Sequence, residues 1–162
     1  MKLATFAGER RKVPGQTEEE RGWSTALQGA LEATVLLHRY PKAAVDVFVL
    51  VLEEDGSVLA HAVNAAGLAL ADAGIELRDL LGAVSVGIGG DGPAIDLTRA
   101  EEKKNGGGLT VAALTAAGTV VQVQTHPQCS PLAAPGLPLL LSFALEAAAQ
   151  LRPVWATALA RE

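Results

Sequence analysis

The chain has 162 residues, 49% of them hydrophobic and 19% charged, with a formal net charge of −5. That length is one domain's worth and too short for two independent cores. The acidic balance gives no overall field for nucleic acid, so any RNA or DNA contact has to come from a local basic cluster. The single Cys129 excludes an internal disulfide or a cysteine-rich metal site and fits a reducing compartment. His38, His61 and His126 have no metal-ligand spacing. No basic-apolar-small leader opens the sequence, and its apolar runs are broken by Gly, Pro or charge well short of a membrane span. A soluble, intracellular protein is expected.

In chain order, a short apolar piece at 3–6 precedes the basic cluster Arg10, Arg11 and Lys12 and the break Pro14-Gly15, so 1–16 reads as a strand end and a basic loop. Thr17-Glu-Glu-Glu20 matches a capping box and starts a helix whose buried stripe is Trp23, Leu27, Ala30, Leu31, Thr34 and Val35, ending at Tyr40-Pro41. Residues 45–52 are apolar on both alternating faces apart from Asp46, the pattern of a central strand covered on both sides. Asp55-Gly56 turns the chain, and Leu59, Ala62, Val63, Ala66, Leu70 and Ala73 recur at helical spacing until Gly74 closes the helix.

A helical turn is expected at 77–81, a strand at 83–88, a break at 89–93 and a brief strand at 94–97. Residues 98–108 read as a charged surface loop or frayed helix. Segments 109–114 and 119–124 pair as a hairpin, with Gln122 and Gln124 on a face that meets solvent. A loop at 125–138 leads to a last helix at 139–160 that Pro153 bends or interrupts, with Leu141, Leu145, Ala148, Leu151 and Trp155 on one side. The order of elements predicts an α+β fold in which helices cover a mixed sheet.

Four ordered segments carry a family resemblance. They are Tyr40 through Gly56, Val63 through Leu80, Ile95-Asp-Leu-Thr-Arg-Ala-Glu-Glu102 and Gly108-Leu-Thr-Val-Ala112, and together they resemble the core of RNase PH-like proteins. With Phe6-Ala-Gly-Glu-Arg-Arg-Lys12 and Arg39-Tyr40-Pro41, the sequence looks most like a eukaryotic exosome ring subunit of the messenger-RNA-transport type. The resemblance implies the ribosomal protein S5 domain 2-like fold, with the family core at 17–125 and a loop and C-terminal helix at 126–162. It also implies that the family's first half-domain is absent from this sequence, which is expected to leave sheet edges and apolar faces uncovered.

Active members carry an arginine four residues after the turn aspartate to hold the attacking phosphate, and counting from Asp55 this position is Leu59. Leucine cannot replace a charge-assisted grip, and a loss of about 3–4 kcal/mol is roughly 10²–10³ in rate. The family's glycine-rich phosphate loop falls near 124–133, which has no glycine. The catalytic carboxylates match Asp96 and Glu102, read as vestigial; in the alternative reading they serve an active exoribonuclease that uses inorganic phosphate and Mg²⁺. Arg10, Arg11 and Lys12 match a basic pair beside the family's RNA path, and pairing with Glu18, Glu19 and Glu20 is the bland alternative. The resemblance thus implies a non-catalytic scaffold without cofactor or metal, in a hexameric ring with other RNase PH-like subunits, an S1/KH cap protein and single-stranded RNA. Nucleus, nucleolus and cytoplasm are the implied locations, with no membrane.

Overall fold

The computed structural model describes residues 1–4, 17–89, 92–104, 108–125 and 136–160. Its centre is a four-stranded antiparallel sheet of order β4-β3-β5-β6, built from β3 (Leu81–Gly89), β4 (Gly92–Ile95), β5 (Gly108–Leu114) and β6 (Thr119–Thr125). Helices α1 (Glu18–Thr34) and α2 (Val58–Asp72) pack on one face, and α4 (Gly136–Leu159) packs on the other. A short α3 (Arg99–Lys104) follows β4. The alternation of strand side chains sorts the core into two halves. Leu81, Ala83 and Ala112 meet α1 and α2, while Val84, Val86, Leu109 and Val111 meet Leu140, Ala144 and Ala148 of α4.

Local chemistry sets the helix ends. Thr17 accepts from the Glu20 N–H at 3.2 Å and Glu20 accepts from the Thr17 N–H at 2.7 Å, which completes the expected capping box. The second Glu20 oxygen accepts from the Leu3 N–H at 2.9 Å, so this carboxylate, only 2% exposed, ties β1 (Lys2–Leu3) to α1. Gly74, at φ +72°, ends α2 in a Schellman motif: the Ile75 N–H reaches the Leu70 carbonyl and the Gly74 N–H reaches that of Ala71, each at 3.0 Å. Asn64 of α2 donates to the Ala83 carbonyl at 2.8 Å and accepts from the Ala83 N–H at 2.7 Å. It thereby satisfies β3 on the side that β4, paired only from Val86 onward, leaves open.

Several expectations are corrected. The anticipated central strand at 45–52 is reduced to β2 (Leu50–Val51), which pairs in parallel with β1 outside the main sheet. One alternating row, Val47 and Val49, packs against the α1–α2 core, while Phe48 (91% exposed), Leu50 (61%) and Leu52 (60%) face outward. Asp46 lies in solvent and has no burial to offset. Helix α1 ends at Thr34 rather than at Tyr40, because Val35 turns extended and bridges to Leu77; that bridge also replaces the helical turn expected at 77–81.

The β5–β6 hairpin forms as expected, with Val121 packed on the α1–α2 core and Gln124 exposed, but Gln122 and Val123 exchange their expected sides. A register shift at Ala112/Ala113 leaves Gln122 beside α1, its Oε1 3.6 Å from where a Cβ on Gly29 would sit, whereas Val120 and Val123 are exposed. Helix α4 continues through Pro153, and its buried line runs through Leu140, Ala144, Ala148 and Trp155, one residue off the expected Leu141 and Leu145. No helix among the described residues is long and apolar enough to cross a membrane.

Candidate functional site

The site grows from a corner between two segments distant in sequence. Gly56 takes φ +92° and Ser57 φ +52°, turning the chain sharply into α2. A Cβ on Gly56 would lie 2.4 Å from the Leu97 carbonyl oxygen, so only glycine lets these backbones approach. The segment after β4 is fastened there by three bonds. The Arg99 N–H donates to the Asp55 carbonyl at 3.2 Å, the Ser57 Oγ to the Leu97 carbonyl at 3.4 Å, and the Ser57 N–H to Glu102 Oε1 at 3.3 Å. The last contact seats a carboxylate at the amino end of α2, where the helix dipole favours negative charge.

Helix α3 carries Glu102 and is itself capped. Glu101 Oε2 accepts from both the N–H and the hydroxyl of Thr98, at 2.9 and 2.8 Å, and the Glu101 N–H returns to Thr98 Oγ1 at 3.4 Å. The backbone N–H and then the hydroxyl of Thr98, with a smaller contribution from Lys104, hold the Glu101 carboxyl below its ordinary pKa of 4.5 against weak desolvation. Thr98-Arg-Ala-Glu101 is a readable S/T-x-x-E signal, and it is what makes 99–104 a helix rather than a loop.

Beside this corner lies a cleft of about 250 Å³. Glu19 and Trp23 of α1 form one side, Ser57 and Leu59 the start of α2, Arg99, Glu102 and Lys103 a third side, and Gln124 and Thr125 of β6 the last. Leu59, 6% exposed, presents a methyl-lined surface and no charge. Two cations are present nearby: Lys103, and Arg99, whose Nη1 lies 3.3 Å from the nearly buried Glu54.

The two expected carboxylates have different surroundings. Glu102 lines the cleft, whereas Asp96, at φ +56°, hydrogen-bonds His61 Nε2 at 3.1 Å and does not line it. His61 is hydrogen-bonded, as a structural histidine should be, but it is exposed rather than packed. Arg10, Arg11 and Lys12 fall outside the described residues, as do positions 126–133 of the phosphate-loop segment. Asp79 does more than pair locally: it accepts from the N–H groups of Ala116 and Ala117 at 2.6 and 3.3 Å, pinning the β5–β6 turn. Sequence reasoning missed Trp23, Glu54 and Arg99 as parts of the site. Trp23 packs against the α1–α2 core, as its place in the helix stripe implies, and also lines the cleft, while the Glu54–Arg99 pair has no local signature. Among the described residues no cluster of three or more His, Cys, Asp or Glu could hold a metal ion.

The arrangement places one carboxylate at a helix amino terminus beside a cleft lined by Trp23 and Leu59. The fold and the matched segment define an RNase PH-like protein: residues 1–76 match the model of the 3' exoribonuclease family, domain 1. Among its relatives, the chain is similar to the exosome complex component MTR3 of Homo sapiens, at 50% identity over 113 residues, which are 67% of this chain and 41% of that protein. It therefore spans about two-fifths of that relative's length. The fold is also that of rice (Oryza sativa) Rrp46, with a TM-score of 0.84 at 23% identity, covering 92% of this chain and 70% of that one. A chain of the Archaeoglobus fulgidus exosome with RNA bound to the active site gives 0.76 at 18% identity, covering 95% and 68%.

Proposed function

We propose that the chain acts as a non-catalytic RNase PH-like ring subunit of an RNA exosome. It scaffolds the ring and helps to thread single-stranded RNA toward 3'–5' processing and degradation. The observation that carries this reading is Leu59: a buried, uncharged side chain lines the cleft at the position where phosphorolysis needs an arginine. Neither neighbouring cation is a free substitute, since Arg99 is engaged by Glu54 and Lys103 is a flexible point charge without a bidentate fork. The likeness to MTR3 supports membership of the ring, beside other RNase PH-like subunits and under an S1/KH cap protein, in nucleus, nucleolus and cytoplasm. Arg10, Arg11 and Lys12 are the proposed RNA backbone contacts, and no metal or cofactor is required.

Co-expression with an RNase PH-like partner, followed by ring reconstitution with the cap protein, tests the assembly. Incorporation in a fixed stoichiometry is expected, and a chain left outside every ring contradicts it. RNA crosslinking to the ring should fall with salt and with neutralisation of Arg10, Arg11 and Lys12 together; crosslinking that survives their replacement removes the RNA-contact role. The second reading, a phosphate-dependent exoribonuclease with Mg²⁺, is favoured only by Glu102 lining the cleft.

A further inference from the structure

We infer that the outer edge of β2 is a strand-addition site, taking an extended segment of a partner protein with apolar side chains at alternate positions and lysine or arginine at both ends. This goes beyond the reading above and needs neither the ring nor RNA.

The backbone supplies the template. The Lys2 N–H donates to the Val49 carbonyl at 2.9 Å and the Ala4 N–H to the Val51 carbonyl at 2.8 Å, so Val49 and Val51 turn their peptide groups toward β1. Peptide groups alternate in direction along an extended chain, which points those of Phe48 and Leu50 to the opposite edge. Among the described residues no hydrogen bond meets them there. An unpaired edge of this kind recruits a strand from another chain. Positions 43–52 hold no proline, no glycine and no charge except Asp46, so little in the sequence blunts the edge. The other free edges are better guarded: β4 has four residues with Pro93 among them, and β6 intersperses its valines with Thr119, Gln122, Gln124 and Thr125.

The side chains set the partner's chemistry. Phe48, Leu50 and Leu52 stand exposed on the outward face. A strand laid alongside brings its own alternate side chains within about 5 Å of that row, where apolar pairs stabilise the contact. Asp46 is exposed at one end of the row, and Glu53 and Asp55 are exposed at the other. Lys2, opposite Leu50 in the register, belongs to the β1 side and not to the free edge. Basic ends on the incoming segment complement these acids. A second copy of β2 laid antiparallel on the same edge instead brings Asp46 toward the Glu53–Asp55 end of its twin, and like charges facing each other across strands destabilise the pairing.

The test titrates the full ¹⁵N-labelled chain with synthetic peptides. The first is Lys-Arg-Val-Thr-Val-Thr-Val-Lys-Arg, the second carries Glu-Asp at both ends instead, and the third is the basic peptide N-methylated at alternate residues so that it cannot pair through its backbone. The basic peptide should bind saturably, shift the amides of 46–52 and protect those of Phe48 and Leu50 from exchange. Acidic ends and N-methylation should each weaken binding about tenfold or more, and added salt should narrow the difference between basic and acidic ends. Leu50→Lys should weaken the basic peptide about tenfold, by removing apolar cover and adding like charge. Asp46→Asn combined with Asp55→Asn should reduce the preference for basic ends several-fold. None of these side chains packs in the α1–α2 core, so the variants alter the surface and not the folding. The inference is overturned by an absence of saturable binding, by equal binding of the acidic or the N-methylated peptide, by shifts that avoid 46–52, or by affinity unchanged in Leu50→Lys. It is equally overturned by a dimer of the chain paired through β2 that the basic peptide does not dissociate, or by attachment of the row to phosphatidylcholine vesicles in place of peptide.

Discussion

Ser57 and Glu102, 45 residues apart, meet through a backbone N–H and a carboxylate oxygen at 3.3 Å, and this contact places the only cleft-lining member of the expected acidic pair. The approach depends on Gly56. Gly56→Ala forces a Cβ into the Leu97 carbonyl and a left-handed backbone onto alanine. We expect a loss of about 1–3 kcal/mol in urea unfolding, with altered chemical shifts at Ser57 and Glu102. Wild-type stability in this variant contradicts the account of the corner.

Glu20 joins two tasks in one buried carboxylate, capping α1 and holding β1. Thr17→Ala removes a cap alone and should cost ~1 kcal/mol. Glu20→Ala also strands the Leu3 N–H and should cost ~2–3 kcal/mol. Equal effects of the two substitutions on the denaturation midpoint are inconsistent with the double role.

The Glu101 carboxyl titrates below its ordinary value because the Thr98 N–H and hydroxyl favour its charged form. A depressed folded-state pKa means that its contribution to the α3 cap is fully present above 4.5 and disappears as pH falls through the lowered value. An NMR pH titration should show the Glu101 carboxyl midpoint below 4.5, with the Thr98 amide moving in step. Glu101→Gln should remove the acid-side change in α3. A midpoint at or above 4.5 contradicts the cap.

Phe48, Leu50 and Leu52 form an outward apolar row that runs through the two-residue strand β2, a surface prone to association. Phe48→Ser combined with Leu50→Lys should lower self-association of the isolated chain in concentration-dependent light scattering. The α1–α2 core should be unaffected, since neither residue packs in it.

What could be read from the sequence was what local chemistry decides. The Thr17–Glu20 box, the Gly74 stop and the β5–β6 hairpin each depend on residues within a few positions of one another. The 45–52 run misled because two-sided apolarity implies two covering layers, and only Val47 and Val49 find one among the described residues. Which residues of β6 are covered was likewise not local: α1 lies beside Gln122, while Val123 is exposed. At the site, counting from Asp55 located Leu59, but the links from Glu54 to Arg99 and from Ser57 to Glu102 join segments about 45 residues apart. No periodicity reports such pairs.

The central claim is that this cleft does not activate phosphate. Reconstituted ring containing this chain, given poly(A), Mg²⁺ and inorganic phosphate, tests it by release of nucleoside diphosphate, with Asp96→Asn and Glu102→Gln rings alongside. The account predicts the same release, or the same lack of it, in all three rings. Diphosphate release that disappears on replacing Asp96 or Glu102 would show a working phosphorolytic site beside Leu59 and contradict it.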